Sequence, residues 1–211
     1  MKWLASIGLS GTVLALFAAV TSIAIGWTYL STEEQIAVAI RRAEAQHWLA
    51  MFPTGTHHDE LVDDTFSIAS NTALLGLREM RQGYRVRLKG RTVGVIIPTT
   101  ARDGYSGDIR ALVGIRHDGS VAGVRVVAHR ETPGLGDKVE LRKSDWVLGF
   151  NDRSLSNPGL NSWSVKKEGG VFDQFTGATV TPMAVILATR RALEYATLNA
   201  DTLFESAGDP S

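Results

Sequence analysis

The rhythm of apolar and polar residues changes several times along the chain, and each change predicts a different element. From Trp3 to Thr32 no charged side chain appears, and Leu, Ile, Val, Ala and Phe dominate. A helix needs about 20 apolar residues to cross a hydrocarbon core, so this run suffices for a membrane anchor. Trp3 near one end, and Trp27 and Tyr29 near the other, fall where aromatic belts form. Gly8, Gly11 and Gly26 weaken a water-soluble helix but are tolerated in a membrane. The competing reading is a cleavable signal peptide ending near Ser22-Ile23-Ala24, but apolar sequence continues well past that site. Ser31, Thr32, Glu33 and Glu34 then form a capping-box pattern. An amphipathic helix over Thr32–Met51 follows, with Ile36, Ile40, Ala43, Trp48 and Leu49 on its apolar side. Pro53–Glu60 breaks the helical period and reads as a loop.

Beyond Gly83 the period becomes two. Tyr84, Val86 and Leu88 alternate with Arg85, Arg87 and Lys89, and Val93 to Ile97 continues the apolar run. This predicts a hairpin turning at Lys89-Gly90-Arg91. Ile109–Ile115 and Val121–Val127 read as two further strands joined across His117-Asp118-Gly119. Leu141–Asn151 reads as a short helix with Trp146 and Phe150 on its apolar side, and Trp163–Gly170 as a short strand and turn. Met183–Leu198 returns to helical spacing through Val185, Ile186, Ala188, Leu193 and Ala196. Thr181 fits the N-cap of that helix and Pro182 its first position. The fold class is α+β: a mainly antiparallel sheet with segregated helices behind an N-terminal transmembrane helix. The expected divisions are an anchor (1–32), a connecting helix and loop (33–60), one domain (61–200) and a polar tail (201–211).

Composition narrows the chemistry. The chain has 22 Lys plus Arg against 22 Asp plus Glu, with no basic stripe interleaved with aromatics, so nucleic acid is not an expected partner. Cysteine is absent. The chain therefore forms no disulfide and ligates neither an iron–sulfur cluster nor a Cys-type zinc site. His57 and His58 beside Asp59 and Glu60 read as solvated loop residues, and no metal centre is expected. Redox chemistry would have to come from an organic cofactor. Lys2 and the α-amino group precede the apolar run, and Glu33 and Glu34 follow it, although Arg41 and Arg42 weaken the contrast. The positive-inside rule then favours a cytoplasmic N-terminus and an exported main domain.

The richest chemistry lies just ahead of the last helix, in Asp173-Gln174-Phe175-Thr176-Gly177-Ala178-Thr179-Val180-Thr181. The free N–H groups and dipole of a helix N-terminus attract phosphate, and a threonine hydroxyl there can be the alcohol of a phosphoester. The alternative is that Thr176, Thr179 and Thr181 simply cap the helix. Two blocks upstream accompany this one: Gly104-Tyr105-Ser106-Gly107-Asp108-Ile109, and His129-Arg130-Glu131-Thr132-Pro133-Gly134-Leu135-Gly136-Asp137-Lys138. The second could be no more than a Pro-Gly turn joining two elements.

Together and in this order, the three blocks resemble the G subunit of the Rnf electron-transport complex and the related C subunit of the sodium-pumping NADH:quinone reductase. The compact length and the two upstream blocks look more like the former. The resemblance spans most of residues 80–200. It implies an FMN-binding domain carrying FMN covalently, through a phosphoester on Thr179, with Asp173, Thr176, Gly177, Ala178 and Thr181 completing the attachment segment. It implies that a dedicated flavin transferase uses FAD and releases AMP, so Thr179 is an attachment point and the chain holds no catalytic nucleophile. It further implies that Glu131, Thr132, Gly134, Leu135, Gly136 and Lys138 lie near the flavin ring, with the glycine N–H groups approaching flavin heteroatoms. The implied partners are the membrane and iron–sulfur subunits of such a complex, the transferase and membrane lipid, at a bacterial inner membrane with the main domain on the periplasmic side. In this role the chain relays electrons between ferredoxin and NAD sites on other subunits, coupled to ion movement. A cofactor-free, membrane-anchored binding module is the reading from another functional class.

Overall fold

The computed structural model describes residues 14–23, 25–29, 48, 50–52 and 64–204. The loop expected over Pro53–Glu60, with His57 and His58, lies outside them, as does nearly all of the expected connecting helix. The chain divides into two compact units, Met1–Glu44 and Ala45–Ser211. In the first, residues 14–23 and 25–29 are helical, and Leu14, Leu16, Phe17, Val20, Ile23, Ile25 and Trp27 are exposed. Among the described residues no helix is long and apolar enough to cross a membrane.

The second unit is built on a five-stranded antiparallel meander in sequence order: β1 (Thr65–Ile68), β2 (Arg81–Leu88), β3 (Arg91–Ala101), β4 (Ile109–Arg116) and β5 (Val121–Ala128). The alternation in β2 and the apolar run in β3 form the expected hairpin. Leu88 pairs with Arg91, leaving Lys89 and Gly90 as the two turn residues, both at positive φ. Two consecutive positive φ values are what a two-residue hairpin turn demands. The Asp118-Gly119 turn joins β4 to β5 as its sequence predicts. The edge strand β1 was not expected.

Two layers cover the sheet. On one face lies α1 (Val180–Leu198), which packs against β3 and β4. Ala184, Ala188, Ala192 and Ala196 recur every four residues on its buried side, and these small side chains let the helix lie close to the strands. Val185, Ile186 and Leu193 join Val95, Ile97, Val113, Ile115 and Val124 in the main core. Fully burying an aliphatic side chain of this size stabilises the fold by about 1.5–3 kcal/mol. A short helix α2 (Ala200–Leu203) follows, with Leu203 buried, so ordered chain continues past residue 200.

The opposite face has a second core of Met51, Phe52, Val86, Ile96, Leu112 and Ala122. Its floor is a trough of three glycines. A Cβ at Gly94 would lie 2.3 Å from the Phe52 ring, one at Gly114 3.2 Å from that ring, and one at Gly123 2.9 Å from Met51 Cβ. Gly114 and Gly123 are cross-strand partners, which puts both on this face, and a register shift follows them in β4–β5.

Residues 137–172 are mostly short 3-10 turns rather than regular elements. Asp145–Phe150 is one such turn, with Ser144 capping it by accepting the Trp146 N–H. Where a strand was expected over Trp163–Gly170 there are 3-10 turns and a single bridge between Val165 and Phe172. Trp146, Phe150, Trp163, Phe172 and Phe175 pack as one aromatic cluster. Ring contacts of this kind add roughly 0.5–1.5 kcal/mol per pair beyond area burial. They hold this irregular region against the core.

Candidate functional site

The three motif blocks converge at the first turn of α1. The Asp173–Thr181 segment reaches it through the aromatic cluster: the Trp146 indole N–H donates to the Asp173 carbonyl at 2.7 Å, and the Trp146 and Phe175 rings meet edge to face at 5.0 Å. The Asp173 carboxylate is exposed and pairs with Lys166 at 2.6 Å, a surface contact of small energetic weight. Phe175 to Ala178 makes a tight turn, with the Ala178 N–H donating to the Phe175 carbonyl at 3.1 Å. Gly177, third in that turn, has φ +80°, a value a side chain resists.

The helix then begins two residues earlier than the sequence suggests. Its N-cap is Thr179, Val180 is its first residue, and Thr181 is not the cap. Pro182 sits third, which costs no hydrogen bond because the opening N–H groups of a helix have no partner within it. The physical reason for the shift is the fate of Thr181. It is 1% exposed, and its hydroxyl donates to Glu131 Oε2 across 50 residues of sequence. Thr179 is half-buried, and among the described residues nothing bonds to its hydroxyl. An uncommitted alcohol therefore stands at the positive end of a 19-residue helix.

Glu131 is 4% exposed and joins the blocks: Oε2 accepts from Thr181, and Oε1 accepts the Ser106 N–H at 2.9 Å. Gly104 and Gly136 pack directly on this carboxylate. A Cβ at Gly104 would lie 3.0 Å from Glu131 Oε1, and one at Gly136 would lie 2.9 Å from Glu131 Cβ and 3.0 Å from Thr181 Oγ1. Gly136 is thus needed for internal packing, whereas a Cβ at Gly134 would meet nothing within 4 Å, and the N–H groups of both are taken up within the loop. Gly134 N–H donates to Asp137 Oδ1 at 2.8 Å, and Leu135 and Gly136 N–H donate to the Thr132 carbonyl at 3.2 and 2.9 Å. Thr132 is exposed and Lys138 half-buried. Leu135 is 43% exposed, and its Cδ2 lies 3.6 Å from where a Gly177 Cβ would stand. The loop therefore lies beside Gly177 of the Asp173–Thr181 segment.

His129 anchors the loop at its start. The Glu131 N–H donates to its Nδ1 at 3.0 Å, so Nε2 carries the ring proton and donates to Glu140 Oε1 at 2.7 Å. Glu140 also accepts from Arg142, and mainly for that reason its carboxyl is held below the usual carboxylate range.

The stretch that holds these blocks also matches a known family. An FMN-binding domain model matches residues 104–194, and an RnfG N-terminal region model matches residues 1–47. A protein of Pseudoalteromonas atlantica is 42% identical over 95% of this chain and 93% of its own length. One of Pseudomonas aeruginosa is 45% identical, covering 93% of this chain and 92% of its own. One of Vibrio cholerae is 42% identical over 91% of each. All three are named as the G subunit of an ion-translocating oxidoreductase complex.

The chain belongs to this G-subunit family.

Within this family member the FMN-binding match begins at Gly104 and includes every residue of the three blocks. The residues fit a flavin phosphate: a free hydroxyl at a helix N-terminus, small neighbours at Gly177 and Ala178, and an exposed apolar contact at Leu135. Among the described residues no group of three or more His, Asp or Glu could hold a metal ion. The site also contains residues that sequence reasoning passed over. Ser106 and His129 lie within the quoted blocks without an assigned role, whereas Trp146, Glu140 and Lys166 carry no local signal of belonging to the site.

Proposed function

We infer that this chain is the flavin-carrying subunit of an ion-translocating oxidoreductase complex, with FMN joined covalently to Thr179. Its family supplies the cofactor and the setting, and the free Thr179 hydroxyl at the start of α1 carries the reading. Bound FMN supplies a ring that takes up and releases one or two electrons. Thr179 Oγ1 forms a bond to the flavin-side phosphorus of FAD as the bond from that phosphorus to the AMP oxygen breaks. AMP leaves, and the hydroxyl proton passes to the transferase or to solvent. The N–H groups of Val180 and Thr181, in the first turn of α1, would be available to the phosphate, with the helix dipole favouring its charge. A covalent tether suits an exported domain, where a free cofactor would be diluted away.

In this proposal the uncharged run from Trp3 to Thr32 is a single membrane span at a bacterial inner membrane, with the N-terminus inside and the FMN domain on the periplasmic side. The partners are the membrane and iron–sulfur subunits of the complex, the flavin transferase and the lipid around the span. NAD and ferredoxin bind other subunits, and because this chain has no cysteine, the iron–sulfur clusters are held there as well.

The test is co-production with a flavin transferase. The protein should fluoresce in a denaturing gel, and mass spectrometry should place the adduct on Thr179 rather than Thr176 or Thr181. Thr179→Val removes only the hydroxyl and should abolish the adduct while leaving the domain folded, whereas Thr176→Ser should retain it. An adduct on another residue, or undiminished fluorescence in Thr179→Val, overturns the assignment. A reporter joined after Ala50 should be exported, and activity of a cytoplasm-only reporter there would reverse the orientation.

A further inference from the structure

We propose that Glu131 is a positioning residue for the tethered flavin, acting through Thr181 rather than by touching the cofactor. The proposal rests on attachment at Thr179 and goes on to say what fixes the orientation of the attached group. One covalent bond holds a cofactor near a place but leaves rotation about several single bonds. Orientation requires that the element bearing the tether and the element facing the ring stay fixed relative to each other. Here those are the first turn of α1 and the Thr132–Lys138 loop, and they belong to segments about 50 residues apart in sequence.

One buried side chain joins them. Glu131 opens the loop, its backbone N–H is held by His129, and its carboxylate takes the Thr181 hydroxyl on one oxygen and the Ser106 N–H on the other. Hydrogen bonds to a charged group are roughly twice as strong as neutral ones, and leaving a buried carboxylate oxygen unpaired is costly. Gly136 and Gly104 bring backbone so close to this carboxylate that no side chain fits between. The third block, Gly104–Ile109, is thereby drawn into the site: its Ser106 amide closes the second half of the carboxylate. Glu131, at 4% exposure, presents almost no surface to a ligand. It sets the site from beneath.

A matched control exists in the same helix. Thr189 is equally buried, and among the described residues its hydroxyl bonds only back to the Val185 carbonyl at 2.9 Å, with no bond to the three blocks. Thr189→Val therefore removes a buried hydroxyl from α1 without disturbing the Glu131 contact. The experiment uses the full flavinylated chain, measuring the reduction potential of the attached FMN and the decay of its fluorescence anisotropy. Thr181→Val and Glu131→Gln should keep the covalent flavin but move its potential toward that of free FMN. They should also shift anisotropy amplitude from the slow tumbling of the protein to a fast local rotation. Thr181→Ser restores the donor and should return both readings to wild type, and Thr189→Val should change neither.

Wild-type values in Thr181→Val, equal changes in Thr181→Val and Thr189→Val, or no rescue by serine would overturn the proposal. Should Thr181→Val fail to fold, Gly136→Ala supplies the same test, because its methyl group would press on Glu131 Cβ and Thr181 Oγ1. Wild-type protein lacking flavin on Thr179 would instead overturn the attachment reading, so the two failures are distinguishable.

Discussion

His129 and Glu140 are joined by a 2.7 Å hydrogen bond from Nε2 to Oε1, which ties the end of β5 to the chain beyond the 3-10 turn at Asp137–Val139. Because Arg142 and then His129 favour its ionised form, the Glu140 carboxyl titrates below its ordinary range. A depressed folded pKa contributes stability that is fully present above the unfolded value and is lost as pH falls through the folded one. Glu140→Gln should therefore be less stable than wild type at neutral pH. The gap should narrow once the pH drops below about 4.3, the ordinary glutamate value. Thermal melts of both proteins from pH 7 to pH 3 check this, and a gap independent of pH would refute it.

Phe52 lies in the glycine trough, and Gly94→Ala would place a methyl group 2.3 Å from its ring and 2.9 Å from the Ile115 carbonyl oxygen. Overpacking of this kind should destabilise the domain by about 1–3 kcal/mol. Phe52→Ala alone should cost about 3–5 kcal/mol. In the double variant the new methyl group fills part of the vacated space, so the two losses should sum to less than their separate values. Urea denaturation midpoints measure all three, and strict additivity would show that the residues do not meet.

Thr132 and Lys138 of the loop should tune the flavin without governing its attachment. Thr132→Ala should keep the adduct on Thr179 while shifting the reduction potential. Lys138→Glu should lower that potential, since a negative charge disfavours an added electron. A unit charge about 10 Å from another contributes roughly 1–2 kcal/mol at an effective dielectric near 20. Redox titration of the purified flavoprotein decides it, and an unchanged potential in Lys138→Glu would place that side chain away from the ring.

The sheet was largely readable from local signals. Alternation in β2 and the Lys89-Gly90 and Asp118-Gly119 turns specify four of the five strands, because strand faces and hairpin turns are decided by neighbours in sequence. The edge strand β1 escaped notice: four residues are too few to establish a period. The start of α1 was misplaced by two residues because Thr181-Pro182 satisfies the local rule for a cap. The deciding interaction, with Glu131, lies 50 residues away. The glycine trough was unreadable for a related reason. Gly114 and Gly123 share a face because they are cross-strand partners, and that pairing is not announced by either strand's own sequence. The attachment segment itself stood out in the sequence, while the residues that support it from below did not.

Seating Met51 and Phe52 on the sheet also makes residues well ahead of the first strand part of the folded domain. Both belong to the compact unit Ala45–Ser211 and fill the glycine trough on the face opposite α1. Trp48 extends the same surface by packing on Tyr84 at 5.1 Å between ring centroids. A domain cut to begin at Thr65 would therefore strip the cover from Val86, Ile96 and Leu112 and leave them facing water.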